Sequence, residues 1–445
     1  MTQAPATPLA PRRRHDREIV ALAVPAFGAL VAEPLFVMAD SAIVGHLGTA
    51  QLAGLGVASA LLTTAVSIFV FLAYATTAAV ARRVGADDLR AAVRQGMDGI
   101  WLALVLGTAV IAVVLPTAPG IVGLFGVSQT AAPFATTYLR ISALGIPAML
   151  VVLAATGVLR GLQDTRTPLY VAVAGFAANA ALNAGLVYGA GLGIAGSAWG
   201  TVIAQCGMAS VYLYVVVRGA RRHGASLRPD LAGIRACAQA GVPLLVRTLS
   251  LRAILMIATA VAARLGDAEI AAHQILLSLW SLLAFALDAI AIAGQAIIGR
   301  HLGADDPGGA RDACRRMVQW GASIGVALGL LVLVSRPLFL PLFTDDTAVH
   351  HAALPALVIV AAAQPVCGIV FVLDGVLMGA GDGPYLAWAM LLTLAVFTPA
   401  ALLVPVLGGG LTALWAAMTL MMAARLLTLW LRTRSGSWIV TGATR

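Results

Sequence analysis

Lysine is absent from this 445-residue chain, so all 28 of its basic residues are arginine. That absence excludes a phosphate-binding P-loop lysine and a Schiff-base lysine. Charge of either sign is scarce: 11% of residues are charged and 60% are hydrophobic, whereas a soluble globular chain carries about a quarter charged residues. Cysteine is scarce as well. Cys206, Cys237, Cys314 and Cys367 stand singly among apolar residues, which is neither a disulfide framework nor a metal-ligand spacing, and they read as small buried hydrophobes. HExxH and CxxC motifs are missing, and the longest polar connection, about Arg218 to Arg235, is too short to hold a catalytic domain. We therefore expect no ATP hydrolysis, no enzymatic activity, no bound metal and no cofactor.

What the chain has in abundance is long apolar runs, with a mean hydropathy of +0.95. A membrane span needs about 20 apolar residues. Such runs begin near residues 17, 51, 95, 131, 167, 192, 236, 269, 312, 348, 384 and 411, which predicts twelve transmembrane helices. The polar start with Arg12, Arg13, Arg14 and Arg17 precedes an apolar run from Ile19 to Val44, too long for a cleaved signal peptide and suited to a first span. A net charge of +9 and a pI near 10.1 would suit nucleic acid, but the arginines fall in alternate loops: the N-terminus, Arg82 to Arg94, Arg160 with Arg166, Arg218 to Arg235, Arg300 to Arg316, and the tail with Arg432, Arg434 and Arg445. The opposite loops hold no arginine around Thr117 to Gln129, Tyr188 to Gly193 and Pro405 to Gly410, with Arg264 and Arg336 as single exceptions. Positive charge sorts to the cytoplasmic side. The expected partner is thus a lipid bilayer and not nucleic acid, in a multi-pass cell-membrane protein with both termini cytoplasmic.

The chain also repeats itself. Residues 25 to 164 align with residues 243 to 382 at a constant shift of 218 without a gap: Pro25 falls on Pro243, Gly48 on Gly266, Gly85-Ala86-Asp87-Asp88 on Gly303-Ala304-Asp305-Asp306, and Gly157, Gly161 and Asp164 on Gly375, Gly379 and Asp382. Each repeat holds six spans. An even number leaves both halves pointing the same way, so the relation is a pseudo-twofold axis along the membrane normal, with a substrate path between the lobes. The organisation expected is a tail over 1–18, a first lobe over 19–217, a linker over 218–235, a second lobe over 236–434 and a tail over 435–445. The repeated GADD and Arg160-Gly-Leu-Gln-Asp164 motifs read as helix caps.

Ionisable residues inside a span cost roughly 2.5 to 3.5 kcal/mol each and call for a partner, a wet cavity or a proton. In the first span Glu33 and Asp40 are seven residues apart, on nearly one face, with Pro34 between them and Pro25 before them. The prolines predict a bend or local opening of that helix. Asn179 and Asn183, spaced i,i+4 in the fifth span, sit at a depth that lets Asn183 share a cavity with Asp40. In the second lobe Arg247 and Arg252 of span seven balance Asp288 of span eight and Asp374 of span ten, a possible polar network. In the first lobe only Arg140 faces the two acids, so one acid lacks a fixed cation, which suits reversible protonation. Phe36, Phe69, Phe71, Tyr74 and Tyr138 are candidates for lining a substrate cavity. His46 and His273 read as ordinary polar groups.

The run VMADSAIVGHLGTAQLAGLGVA at residues 37 to 58, following Pro25, resembles the first-helix signature of the multidrug and toxic compound extrusion (MATE) transporters. Asp40 to His46, Leu287 to Gln295 and Leu373 to Gly379 resemble its DinF-like branch. The resemblance implies an all-α integral membrane fold, twelve helices in two pseudo-twofold-related six-helix lobes forming a V. It also implies secondary antiport, expelling organic, often cationic or amphipathic, small molecules in exchange for protons or sodium ions, with Asp40 as the first-helix aspartate of ion coupling. Where some relatives place a fifth-helix aspartate, this chain has Asn183; where others place a seventh-helix glutamate, it has Arg247 and Arg252. Those departures favour coupling in the first lobe through Asp40, with the proton as the coupling ion over sodium, in a chain that works as a monomer. The alternatives are a sodium-coupled exporter, a lipid-linked-precursor flippase of the same superfamily, a membrane-embedded enzyme and a non-transporting channel or scaffold.

Overall fold

The computed structural model describes residues 11–444, and within that range the side chains at 11–14, 33, 36 and 39 lie outside the description. The described residues form helices joined by short connections: α1 (Pro11–Gly45), α2 (Thr49–Phe69), α3 (Phe71–Gly85), α4 (Leu89–Gly123), α5 (Ala132–Ala143), α6 (Ile146–Gly161), α7 (Arg166–Ala184) ending in a π-turn (Gly185–Gly189), and α8 (Gly193–Arg222). The second half follows with α9 (Leu231–Leu265), α10 (Asp267–Gly303), α11 (Pro307–Phe339) with a 3₁₀ turn (Leu340–Leu342), α12 (Thr347–Gly379), α13 (Gly383–Val406) and α14 (Leu411–Ser435). Ten stretches are long and apolar enough to cross a membrane, α2 and α3 together forming one of them, and α5 with α6 makes an eleventh, bent by 50°. With α1, apolar from Ile19 to Val44, the spans number twelve.

Start and stop signals account for the boundaries. Asp88, Asp230, Asp306 and Asp346 each accept a backbone N–H of the first turn they precede, satisfying donors that have no partner within the helix. Asp164 receives the N–H groups of Arg166 and Thr167 at the head of α7. The capping expected for GADD and for the 160–164 motif is therefore what Asp88, Asp306 and Asp164 do. α1 runs through Pro25 and Pro34 as one uninterrupted helix in this conformation; the marked bend lies in the α5–α6 span instead.

The repeat is visible in the backbone. Gly48 and Gly266 share an extreme φ of 138° and 145°, Asp87 and Asp305 are left-handed at 58° and 55°, and Gln163 and Gly381 at 62° and 72°. It is visible in the packing too. A Cβ on Gly157 would overlap the carbonyl of Ala73, and one on Gly375 would overlap that of Ala291, the repeat partner of Ala73. Each lobe thus seats its fourth span on its second through glycines, and Gly161 against Thr77 and Gly379 against Gln295 repeat the approach one turn on. The string Gly321-Ala322-Ser323-Ile324-Gly325 spells the GxSxG of a nucleophile elbow, but it lies inside α11, its glycines packed on the backbone of Gly368 and Gln364. An elbow needs a strand-to-helix turn, so this motif serves helix packing.

The lobes join at the arginine-rich end. There α3 and α10 cross, Gly85 against the carbonyl of Arg300 and, reciprocally, Gly303 against that of Arg82. The Arg82 guanidinium reaches the Ala380 carbonyl at 2.7 Å and the tail carbonyls of Val440 and Gly442 at 2.9 and 3.1 Å, while Arg300 bonds Gln163 at 2.6 Å and pairs with Glu18. Asp16, on the first turns of α1, holds Arg316 and Trp320 of α11. Trp438, only 1% exposed, anchors the tail. Arg94 and Trp101 tie the 223–230 connection to α4 through the carbonyls of Ser226 and Leu227.

Candidate functional site

Asp40 lies in the last third of α1 and is 6% exposed. Three donors from three other helices converge on its carboxyl group. Asn183 of α7 gives its amide N–H to Oδ1 at 2.7 Å, Ser197 of α8 gives its hydroxyl to Oδ1 at 2.6 Å, and Tyr138 of α5 gives its hydroxyl to Oδ2 at 3.2 Å. Ser197 stands near the start of α8, whose helix dipole favours a negative neighbour. Among the described residues no arginine takes part: Arg140, expected to face this acid, is exposed and bonds the carbonyl of Leu115. Tyr188 caps the arrangement by bonding the Ile43 carbonyl at 2.6 Å, pinning the outer end of α1 to the π-turn after α7.

The site is tightly built. Gly200, one turn after Ser197, lies so close to Asn183 that a Cβ there would collide with Asn183 Oδ1. Asn179, one turn before Asn183, is buried beside it. The side-chain oxygens of Asn179 and Asn183 are both buried without a hydrogen-bond partner among the described residues. Amide oxygens of this kind are able to accept from a donor or to ligate a hard cation. Groups of three or more histidine, cysteine, aspartate or glutamate residues able to hold a metal do not occur among the described residues.

The second-lobe acids behave differently. Asp374 of α12 is buried and held by two guanidinium groups, Arg247 of α9 through two contacts and Arg425 of α14 at 2.9 Å. The expected network therefore forms around Asp374, but with Arg425 in the place given to Arg252, which is exposed and joins none of these contacts. Residues 247 and 252 are five apart, about 140° around the helix, so they cannot point the same way. Asp288 of α10 makes no hydrogen bond or ion pair among the described residues, although Arg160, Arg247 and Arg425 all lie within electrostatic reach. The Glu33 side chain and that of Phe36 lie outside the described residues.

Among the other candidates, Phe71 packs on Gly241 of α9, and Tyr74 is half-buried near Arg160 and Asp288. Tyr138 serves Asp40, as above. His46 bonds the Ala42 carbonyl of its own helix, and His273 is buried against Trp415. Sequence reasoning reached Asp40 and Asn183 but missed Ser197 and Arg425. Arg425 carried a readable signal, a charge inside the apolar run of α14; Ser197 carried none.

A family model described as MatE matches residues 25–184 and again 243–403, one match per lobe. Protein DETOXIFICATION 44, chloroplastic, of Arabidopsis thaliana is 34% identical over 95% of this chain and 83% of its own length. DNA damage-inducible protein F of Escherichia coli is 29% identical over 95% and 94%. Among solved structures, a Vibrio cholerae MATE transporter in the bent form superposes with a TM-score of 0.87 at 22% identity, covering 96% of this chain and 98% of that one. The fold is accordingly the twelve-helix, two-lobed V expected from the sequence.

Proposed function

The chain belongs to the MatE family, and on that premise we propose that it is a secondary antiporter that exports small organic compounds, cationic or amphipathic, in exchange for protons. It works as a monomer in the cell membrane with both termini in the cytoplasm, and Asp40 carries the coupling ion. The arginine-rich end then faces the cytoplasm. Because the lobes meet at that end, the conformation described is the one closed to the cytoplasm.

The observation that carries this reading is the donor set on Asp40. Three donors and no fixed cation face a buried carboxyl group, the surroundings of a carboxylate that has released its proton. A proton taken up at Oδ2 is met by rotation of the Tyr138 hydroxyl, whereas one taken up at Oδ1 makes that oxygen a donor facing the Asn183 N–H and disturbs that bond. Turning the Asn183 amide would present its unpaired oxygen instead. Proton uptake thus rearranges the contacts of α1 with α7 and α8, and the prolines of α1 give that helix room to bend. Asp374, neutralised by two arginines, is a poor second site for a cation. A total force near 150 mV supplies about 3.5 kcal/mol per proton, enough for a substrate gradient of about 300-fold.

The test is efflux of a fluorescent organic cation from proteoliposomes under an imposed pH gradient, wild type against Asp40→Asn at matched reconstitution. We expect proton-driven efflux in wild type and its loss in the variant; equal transport by the variant overturns the assignment of Asp40. The unpaired oxygens of Asn179 and Asn183 support a second reading, since amide and carboxylate oxygens are also ligands for a hard cation. A sodium gradient that drives efflux where a pH gradient does not would decide for sodium.

A further inference from the structure

Many arginines at the arginine-rich end are engaged inside the protein. Arg94, Arg300, Arg316 and Arg432 are paired with acids, and Arg82 is held by backbone carbonyls. The end of α8 is different. Arg218, Arg221 and Arg222 are exposed there, and none of the three is in an ion pair among the described residues. The last carbonyls of the helix do not need them, because those of Gly219, Ala220 and Arg221 already receive the N–H groups of His223, Ala225 and Gly224. At spacings of four and three residues, Arg218 is the surface neighbour of both Arg222 and Arg221, where like charges repel. An anion seated among them removes that repulsion.

The three side chains, with Tyr214 and Val217, line an open groove of about 360 Å³. Arg218 donates to the Tyr214 hydroxyl at 2.8 Å, its guanidinium 5.9 Å from the centre of that ring, which keeps it against the helix. Beyond the groove the same face of α8 is apolar and open. Trp199, Ile203, Val211 and Tyr214 are exposed along it, and Gly207 between them has open space beside it. From Trp199 to Arg218 the helix rises about 28 Å, close to the ~30 Å hydrocarbon core of a bilayer. The apolar face thus lies at acyl-chain depth and the groove at headgroup depth, with Trp199 and Tyr214 near the two interfaces. The last span of the second lobe, α14, ends otherwise: its Arg432 is paired with Asp382 and its Arg434 lies 4.5 Å over Trp430. The shared fold therefore does not demand the unpaired triplet of α8.

We propose that Arg218, Arg221 and Arg222 bind the phosphodiester headgroup of an anionic phospholipid, whose acyl chains lie along the exposed face of α8. Guanidinium forks match the non-bridging oxygens of a phosphodiester in pairs. A zwitterionic phospholipid carries the same phosphodiester but brings a cationic group to a site that already holds three positive charges, so it is disfavoured. The bound lipid fixes the depth of α8, the helix that at its other end gives the Ser197 hydroxyl to Asp40. This binding does not depend on which ion drives transport.

The experiment is native mass spectrometry of the purified, delipidated full chain challenged with equimolar dioleoylphosphatidylglycerol and dioleoylphosphatidylcholine, whose acyl chains are identical. The first lipid bound should be phosphatidylglycerol by at least about tenfold, since each basic residue near an anionic headgroup contributes roughly fivefold. Arg218→Gln, Arg221→Gln and Arg222→Gln together should bring that ratio close to one. The same charge removed at three other exposed arginines of this end, by Arg90→Gln, Arg166→Gln and Arg311→Gln together, should leave it intact. Arg218→Lys, Arg221→Lys and Arg222→Lys together keep the charge and should retain most of the preference; with thermal unfolding they separate lost binding from lost folding. The proposal is overturned if the first lipid bound to wild type shows no headgroup preference, or if the two glutamine triplets lower it alike, which would make it a general attraction of a basic surface. It is overturned too if inorganic phosphate displaces the lipid from wild type, which would assign the groove to a soluble anion. A dimer of wild type that the glutamine triplet at 218, 221 and 222 dissolves would assign it instead to a second copy of the chain.

Discussion

Single residues decide whether the first-lobe site exists at all. Asn183 reaches Asp40 only because Gly200 leaves room for its amide. Gly200→Ala must displace that amide, at a cost of about 1 to 3 kcal/mol typical of overpacking. We expect coupled efflux to be lost while the protein still folds, which proteoliposome transport and thermal unfolding together will show. The second-lobe pair makes a different demand. Removing one partner of a buried ion pair costs about 3 to 5 kcal/mol because it strands the other. Arg425→Ala should therefore destabilise strongly, and Arg425→Ala with Asp374→Ala by clearly less than the sum of the single variants. Simple additivity in that cycle would mean the two do not interact. The sequence made much of this legible: depth along two helices was enough to bring Asp40 and Asn183 together. Ser197, and Tyr138 as a partner of Asp40, were beyond such reasoning, because nothing in the sequence marks which hydroxyls tertiary packing brings to that carboxyl group. Arg252 was misplaced because charge was balanced without asking which way each helix face points.

At the level of helices, the legible part was the apolar run. The expected starts near 51, 131, 167, 192, 269, 348, 384 and 411 fall within two residues of the observed Thr49, Ala132, Arg166, Gly193, Asp267, Thr347, Gly383 and Leu411, because hydropathy and capping residues both mark them. The break at Val70, the 50° bend between α5 and α6 and the π-turn after α7 were not anticipated. The bend falls at Gly145 just before Pro147, and the π-turn begins and ends on glycine, so both carry a local signal, whereas the break at Val70 carries none. The repeat supplies a direct test of what the shared elements need. Gly157 and Gly375 make equivalent close approaches to Ala73 and Ala291, so Gly157→Ala and Gly375→Ala should each push the fourth span of their lobe off the second. Thermal unfolding in detergent should fall in both, by similar amounts equivalent to roughly 1 to 3 kcal/mol. A loss confined to one variant would show that the two lobes are not packed alike.

For the molecule as a whole, the question is which charges set the pH dependence of transport. The closure at the arginine-rich end is itself built from ion pairs, and ion pairs titrate. Asp16, at the polar start of α1, answers for its part of that closure. The hydrogen bond from Arg316, with a further one from Trp320, lowers its pKa from the ordinary 3.8 to about 2. A lowered acid contributes stability that is fully present above its ordinary value and is lost only as pH falls through the lowered one. Asp306, likewise lowered, by the Gly309 N–H first and then by His301, follows the same sign. Across about pH 5 to 9 the Asp16 bridge is therefore constant. Asp16→Asn should weaken closure equally at every pH in that window, seen as a wider distance between spin labels in the 86–88 and 304–306 turns. It should leave the shape of the pH–rate profile in proteoliposomes unchanged, whereas Asp40→Asn should flatten that profile. A neutral-range midpoint that moves in Asp16→Asn would place the pH sensor in the closure at the arginine-rich end and take it away from the buried carboxyl group of α1.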